Sequence, residues 1–493
     1  MIVFILSIVW YIRILRNILS YVHLWFVKEY RIDRMLIHLR TRQGKRIYFP
    51  ERKEPPVSPK TITLVIALVF VSLSCIIYLP LPLLVRVGIV DLLVFPVSFI
   101  FVSLLGIPTF FYHRYKIAKS EQALTNHKPM VTIGITGSFG KTSTKDFLAS
   151  ILKGKYYVLK TEESKNSPIG ISETILTRLA PTHSAFVVEM GAYKRGEIER
   201  MATMVHPSIA VITAVNAQHQ DLFRSIETTK LAKYELVRAL PKKHGIAVMN
   251  LDNEYVRDMA GWAIRDGFTV WGVTANNKYH GEVKNVFHIS DISSTVDSIM
   301  FSFIWKNKRS EVTIPLRGEH FVMNIGLALA AAIAAGMTFS EAVKALGNIQ
   351  SVHRVMERTE GKNGQTLIND TFNNNPDAAA AALKYLQKFD HNRLLVFQPM
   401  IELGNFSDKA HSNVGALAAH VCDSIILTNS NFSEAFIRGV KKIHPKKVVN
   451  IFSPKEAINY ITQTTSSKDT ILFKGKEAAF VFEGVARSKS SHT

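Results

Sequence analysis

Cysteine is nearly absent: Cys75 and Cys422 are the only two in 493 residues. They lie far apart, one of them inside an apolar run, so no disulfide framework holds this chain, which fits a reducing cytosol. A zinc-finger spacing, an aromatic-interleaved RNA-binding signature and a basic helix of the DNA-reading type are all missing. The formal net charge of +21 would otherwise invite a nucleic-acid partner. Many of the basic residues instead sit in 28–60 and 113–119, flanking apolar runs. That is where the positive-inside rule places cytoplasmic segments, and no nucleic acid is expected as a partner. No small-residue cleavage site follows the apolar start, so that start is expected to be retained.

What is present begins with apolar runs. Residues 61–84 are almost wholly apolar, and after Arg86 and Asp91 a second run extends to 112. Each is near the roughly 20 residues that cross a bilayer. With little charge between them and basic outer flanks, they predict a transmembrane helical hairpin with both ends cytoplasmic. Residues 1–12 are apolar, Arg13 and Arg16 interrupt, and Leu24-Trp25-Phe26 resumes. This stretch reads as an interfacial helix, a third span or a signal sequence, with a retained membrane segment preferred. The chain is therefore expected to be a multi-pass protein of the cytoplasmic membrane. It would meet lipids through its N-terminal region and hold its working part in the cytoplasm.

That part opens with an apolar strand at 131–135 running into Gly134-Ile135-Thr136-Gly137-Ser138-Phe139-Gly140-Lys141-Thr142-Ser143 and a helix at 141–152. Glycines let backbone amides fold around a phosphate, and the helix N-terminus adds partial positive charge. Lys141 then reaches terminal phosphates and Thr142 offers a hydroxyl to Mg²⁺. Thr136, Gly137, Ser138, Gly140 and Ser143 complete the expected ATP loop. Position 135 is isoleucine, so this is not the general P-loop spacing. Further strands are predicted at 186–190, 209–215 and 245–250, with helices at 197–204 and 228–240. The alternation predicts an α/β fold with a mostly parallel sheet covered on both faces. Glu189 and His219 fall at or after strand ends, where ligands gather.

These segments resemble the Mur ligase family, and within it the MurF type. The T-G-x-x-G-K-T loop, Glu189-Met190-Gly191-Ala192 with Gly196-Glu197-Ile198, His219 with Phe223 and Ser225, Ala232-Lys233-Tyr234-Glu235 and Met249-Asn250-Leu251-Asp252-Asn253 carry the likeness. The resemblance implies an amide ligase driven by ATP and Mg²⁺, with Lys141, Lys233, His219 and Glu189 as catalytic residues. Thr142, Glu189, His219 and a carbamylated Lys233 would serve the metal. Asn166 is assigned to substrate.

Gly318-Glu319-His320 with Asn324 is similar to the family's motif near the nucleotide base, Phe321 standing in place of an asparagine. A second α/β unit follows, with strands predicted at 366–371, 394–398, 424–427 and 470–473. Arg354, after His353 where glycine is usual, and Asp370 would close over ATP. Asn373, Asn375 and Glu402, in Asn369-Asp370-Thr371-Phe372-Asn373-Asn374-Asn375-Pro376-Asp377 and Met400-Ile401-Glu402-Leu403-Gly404, would position substrate. The expected division is a membrane-associated and basic stretch at 1–60, a transmembrane hairpin at 61–112, a Mur ligase central P-loop ATPase domain at 113–316, a helical connection at 317–347 and a Rossmann-like C-terminal domain at 348–493.

The likeness fails in places. MurF-type enzymes carry a separate N-terminal domain for the UDP-sugar, whose place is taken here by membrane segments. Lys474-Gly475-Lys476-Glu477 replaces K-G-S-R, and Gln398-Pro399-Met400 replaces G-D-M. The D-N-P-R sequence of the MurE type is absent. Three readings follow: a ligase joining an amino acid or dipeptide such as D-Ala-D-Ala to a cell-wall precursor carboxylate, a γ-polyglutamate-type polymer ligase, or a non-catalytic nucleotide-binding scaffold. Oligomeric state is not readable.

Overall fold

The computed structural model describes residues 1–39, 44, 47–50, 52–127, 130–162, 165–192, 194–216, 225–276, 281–349, 354–400 and 403–486. The chain divides into two compact units, Met1–Ala118 and Lys119–Thr493.

The first unit is helical. It contains α1 (Ile2–Val27), α2 (Ile32–Leu39), α3 (Pro59–Tyr78) and α4 (Leu83–Thr125), the last reaching beyond the unit. Ser58 caps α3 in a capping box with Thr61, and Pro59 presets its first turn. Helices α1, α3 and α4 are each long and apolar enough to cross a membrane. Residues 1–27 thus form one continuous helix in spite of Arg13 and Arg16. Arg13 pairs with Asp91 of α4 at 2.9 Å, and the Trp10 indole donates to the same carboxylate at 3.1 Å. The second apolar run ends at 112, yet α4 continues to Thr125 and carries Pro96 and Pro108 within it.

The second unit contains two sheets. The first is built from β1 (Val131–Thr136), α5 (Lys141–Leu152), β2 (Val158–Lys160), α6 (Pro168–Arg178), β3 (Ala185–Glu189), α7 (Glu197–Val205), β4 (Ile209–Ile212), α8 (Ile226–Arg238), β5 (Ile246–Asn250), α9 (Glu254–Arg265), β6 (Thr269–Thr274), β7 (Asn285–Ser294), β8 (Ile299–Trp305) and β9 (Lys308–Ile314). The strand order is β2-β3-β1-β4-β5-β6-β7-β8-β9. Strands from β2 to β7 pair in parallel, as the alternation predicts, and β7, β8 and β9 pair antiparallel. This antiparallel extension is not among the strands expected from the sequence. It is sealed by an aromatic stack in which Phe287 lies 5.4 Å from Phe303 and 5.0 Å from Trp305. Strands β3 and β4 are buried throughout, so their apolar runs face helices on both sides.

Helix α10 (Phe321–Ala334) packs on α5 and on β5, β6 and β7. Its alanines let backbones approach closely. After α11 (Phe339–Lys344) comes a sheet ordered β10-β11-β15-β12-β13-β14. Its strands are β10 (Glu357–Glu360), β11 (Thr366–Asp370), β12 (Arg393–Phe397), β13 (Ser424–Leu427), β14 (Val449–Ile451) and β15 (Thr470–Lys474). Only β10 runs antiparallel to its neighbour. Helices α12 (Pro376–Leu386), α13 (Ser407–Val421), α14 (Ser433–Ile443), α15 (Pro454–Thr464) and α16 (Lys476–Val485) cover it. The two lobes are clasped by Glu319, which pairs with Lys384 at 2.7 Å and Lys388 at 3.4 Å, and by Arg358 with Asp297 at 2.7 Å.

Candidate active site

The glycine-rich loop sits at the C-terminal end of the central strand β1, between β3 and β4. Gly137 has φ +155° and Gly140 +79°. A Cβ on Gly137 would stand 2.0 Å from Thr213 Oγ1, and one on Gly140 would stand 2.6 Å from Asn324 Oδ1. Only glycine fits either position. The loop is tied down around them. Ser138 N–H donates to Ala214 O at 2.6 Å, Asn216 N–H donates to Ser138 Oγ at 3.2 Å, and Thr213 Oγ1 donates to Phe139 O at 2.5 Å. Thr136 Oγ1 donates to Met190 O at 2.8 Å, joining the loop to the end of β3. Helix α5 begins at once, with Ser143 buried in its first turn and Gly140 giving no side-chain cap. Its leading amides therefore remain for an anion. Lys141 Nζ curls back onto Gly137 O at 2.8 Å and Ser138 O at 3.2 Å. Enclosure by the loop pushes its pKa down, and Glu189 opposes that shift.

Glu189 ends β3 and is 2% exposed. A carboxylate buried this deeply needs donors, and it has them on both oxygens. Thr142 Oγ1 donates to Oε2 at 2.9 Å, Lys145 Nζ lies 3.4 Å from the same oxygen, and Asn166 Nδ2 donates to Oε1 at 3.0 Å. The Glu189 backbone N–H donates to Thr161 Oγ1. The structure thus brings Thr142, Glu189 and Asn166 together directly, and Lys145 joins them unannounced.

Lys233 projects from α8 and is 4% exposed. Burial, with the Lys141 charge second, drives its pKa down to about 7, against the pull of Glu197 and Glu235. Glu235 accepts the backbone N–H of Gly196 at 2.7 Å and of Glu199 at 3.2 Å, so it fixes the start of α7 beside α8. His219, with Phe223, and Glu402 lie outside the described residues. Among the described residues, no group of three or more His, Cys, Asp or Glu comes together as a metal-ligand set.

From the other side, His320 precedes α10 and Asn324 lies one turn into it, against Gly140. Burial drives the His320 pKa down to about 4, with Asp370 opposing and Lys474 assisting. Asp370 ends β11 and forms a buried pair with Lys474 of β15 at 2.5 Å. Arg354 has φ +58° and its guanidinium lies 3.5 Å from Glu483, in an exposed pair. Asn373 is exposed, while Asn375 is buried and its Oδ1 caps α12 by accepting the Ala378 N–H at 2.9 Å. The asparagine run therefore has a structural duty at Asn375, where substrate contact was expected. Asn216 Nδ2 donates to Asp377 Oδ2 at 2.8 Å and links the loop side to α12. Sequence reasoning missed Lys145 and Thr161, and it named Glu235 and Lys474 within motifs without foreseeing their contacts. A lysine four positions after Lys141 reads as a solvated helix residue, and only the tertiary fold buries it.

Residues 135–332 match the family profile described as Mur ligase middle domain, and 353–477 match the one described as Mur ligase, glutamate ligase domain. The chain is 28% identical over 345 residues to the UDP-N-acetylmuramoyl-tripeptide–D-alanyl-D-alanine ligase of Bacillus subtilis (strain 168), covering 69% of this chain and 72% of that protein. The Escherichia coli (strain K12) protein of the same name is 31% identical over 291 residues, 59% of this chain and 62% of its own length. A crystal structure of MurF from Acinetobacter baumannii superimposes with a TM-score of 0.66 at 26% identity, covering 75% of this chain and 79% of that one.

Proposed function

The chain belongs to the Mur ligase family, and from that premise we propose that it is an ATP-dependent carboxylate–amine ligase working through an acyl phosphate. The proposed reaction joins D-Ala-D-Ala, or a similar amine, to a muramyl-peptide precursor at the cytoplasmic membrane. One observation carries this reading: the phosphate-type loop and the buried Glu189 meet at the C-terminal ends of neighbouring inner strands, with the buried Lys233 close enough to feel the Lys141 charge.

Each residue then has work to do. The loop amides and the N-terminus of α5 receive the phosphates. Lys141 exchanges its two carbonyl partners for phosphate oxygens, a stronger charge-assisted bond. Thr142 and Glu189 are hard oxygen donors already 2.9 Å apart. They would hold Mg²⁺, which suits hard oxygen donors of this kind. Bound there, the ion would offset the repulsion between the phosphates and the attacking carboxylate. His219 is proposed beside it. Lys233, with its pKa near 7, offers a neutral amine to CO₂. Its lone pair forms the N–C bond as one C=O pair moves onto oxygen, and the nitrogen gives its proton to water, so the neutral amine becomes a carbamate anion.

His320 and Asn324 face the base side. A histidine held neutral down to about pH 4 donates and accepts there without adding charge. Arg354 and Asp370 are proposed to close over the nucleotide. Arg354 leaves its exposed Glu483 partner at little cost, about 0–1 kcal/mol for a surface pair. Asp370 acts together with Lys474. Asn166, Asn373, Asn375 and Glu402 are proposed on the substrate side, Asn375 through its amide nitrogen because its oxygen caps α12. Closure keeps water from the acyl phosphate until the amine attacks carbon and phosphate leaves. Helices α1, α3 and α4 are proposed as three spans that hold the enzyme at the membrane.

The test is phosphate release by the detergent-solubilised chain with ATP, a muramyl tripeptide acceptor and a panel of amino acids and dipeptides. Release stimulated by D-Ala-D-Ala, with product confirmed by mass, is the expected outcome. Stimulation by glutamate alone replaces the reading with a polymer ligase, and silence with ATP still bound replaces it with a scaffold.

A further inference from the structure

We infer that Lys145 is a positioning residue that makes divalent-cation binding at Glu189 conditional on nucleotide phosphate, an inference that rests on the ligase reading above. Lys145 lies in the second turn of α5 and is 1% exposed. Its Nζ stands 3.4 Å from Glu189 Oε2, the oxygen that also accepts the Thr142 hydroxyl at 2.9 Å. The other Glu189 oxygen is held by Asn166 at 3.0 Å. The second carboxylate near Lys145 is Asp146, at 3.9 Å, and Lys160 already neutralises that one at 2.6 Å. The Lys145 charge is therefore directed at Glu189, and the buried pair carries no net charge.

A divalent ion approaching Thr142 and Glu189 meets an ammonium fixed on the same carboxylate oxygen. Burial leaves little water to screen that repulsion. Two oxygen donors with their charge already matched are a poor site for a bare ion. Phosphates seated on the loop supply the missing negative charge, so the cation arrives with the nucleotide rather than before it. Asn166 contributes the geometry, since it holds the carboxylate from the other side while the ion binds.

Mn²⁺ binding, read by electron paramagnetic resonance on the full chain in detergent, tests this with and without a non-hydrolysable ATP analogue. Wild type should bind Mn²⁺ weakly alone and tightly with the analogue. Lys145→Met should bind Mn²⁺ without nucleotide on the order of tenfold more tightly than wild type. Lys145→Gln removes the charge but keeps a donor toward Glu189, and should behave in the same way if the methionine variant does not fold. Lys145→Arg retains the charge and should stay at the wild-type value. Unchanged nucleotide-free affinity in the folded neutral variants, with only a lowered melting temperature, makes Lys145 a structural ion pair and overturns the inference. Failure of wild type to bind Mn²⁺ even with the analogue is a separate result, and it overturns the ligase reading itself.

Discussion

The two units of this chain treat the same residue types in opposite ways. In Met1–Ala118, Phe4, Ile66, Phe70, Ile77 and Phe111 stand outward with half or more of their surface exposed. In Lys119–Thr493, residues of that kind fill the core, as Phe147, Phe186, Phe303 and Phe436 do at 1% exposure or less. Asp91 of the first unit pairs with Arg13 and Trp10, and the second unit has buried ion pairs of its own, Lys145 with Glu189 and Lys474 with Asp370. Outward apolar side chains on helices of that length suit an apolar solvent. The contrast separates a unit whose three long helices are apolar enough to cross a membrane from one that gathers its apolar side chains into a core.

The largest effect that would break this division is catalytic. Lys141→Ala should lower ligation by about a thousandfold or more, as loss of a phosphate-binding charge does, while the melting curve and membrane partitioning stay as in wild type. Phosphate release and flotation on a gradient read the two properties separately. Retained activity in folded Lys141→Ala would remove the loop from the mechanism. Next in size is a charge on the outward face of the first unit. Phe70→Lys, at a position 69% exposed, should cost about 2.5–3.5 kcal/mol of membrane insertion. Tyr157→Lys, at a position 72% exposed in the second unit, should change stability by no more than about 0.5 kcal/mol. Equal, small effects at both would mean that both surfaces face water.

Two pH dependences sharpen the picture within the second unit. With its pKa about 7, the Lys233 amine is mostly ammonium at pH 6 and mostly neutral at pH 8. Incorporation of ¹³C-bicarbonate as a lysine carbamate should therefore rise by several-fold across that interval, followed by NMR. A flat response would separate Lys233 from carbamate chemistry. The smallest effect concerns the clasp between lobes. Bonds from Lys384 and Ser294 hold the Glu319 pKa down to about 2 from 4.5. A depressed carboxylate stabilises the fold above its unfolded pKa and loses that contribution as pH falls through the folded one. The clasp should hold at pH 5 and fade between about pH 4.5 and 2, by about 1 kcal/mol after solvent screening. Glu319→Gln should flatten that part of the acid melting curve.

Features encoded over a few neighbouring residues were legible in the sequence. The strand, turn and helix around Gly137 and Lys141, the carboxylate ending β3, and the lysine of α8 are all local patterns with a chemical reason. The antiparallel strands β7, β8 and β9 went unread, although β8 and β9 are joined by the two-residue turn Lys306-Asn307 with Lys306 at φ +53°; their aromatic packing against β6 and α11 is visible only in the fold. Asn375 shows a different difficulty. Asparagine before proline serves a helix cap and a ligand contact equally well, and only the 2.9 Å bond to Ala378 assigns its oxygen. Lys145 escaped notice, and Lys474 was read only as part of a motif, because a lysine declares its burial only when the rest of the fold has closed around it.

The position of β15 has a consequence for biosynthesis. It lies between β11 and β12 in the middle of its sheet, and Lys474 at its end holds Asp370, a residue 104 positions earlier. At about 5–20 residues per second, translation leaves that carboxylate without its counter-ion for roughly 5 to 20 s. The lobe bearing Asp370 therefore matures late, well after the three helices apolar enough to cross a membrane have left the ribosome.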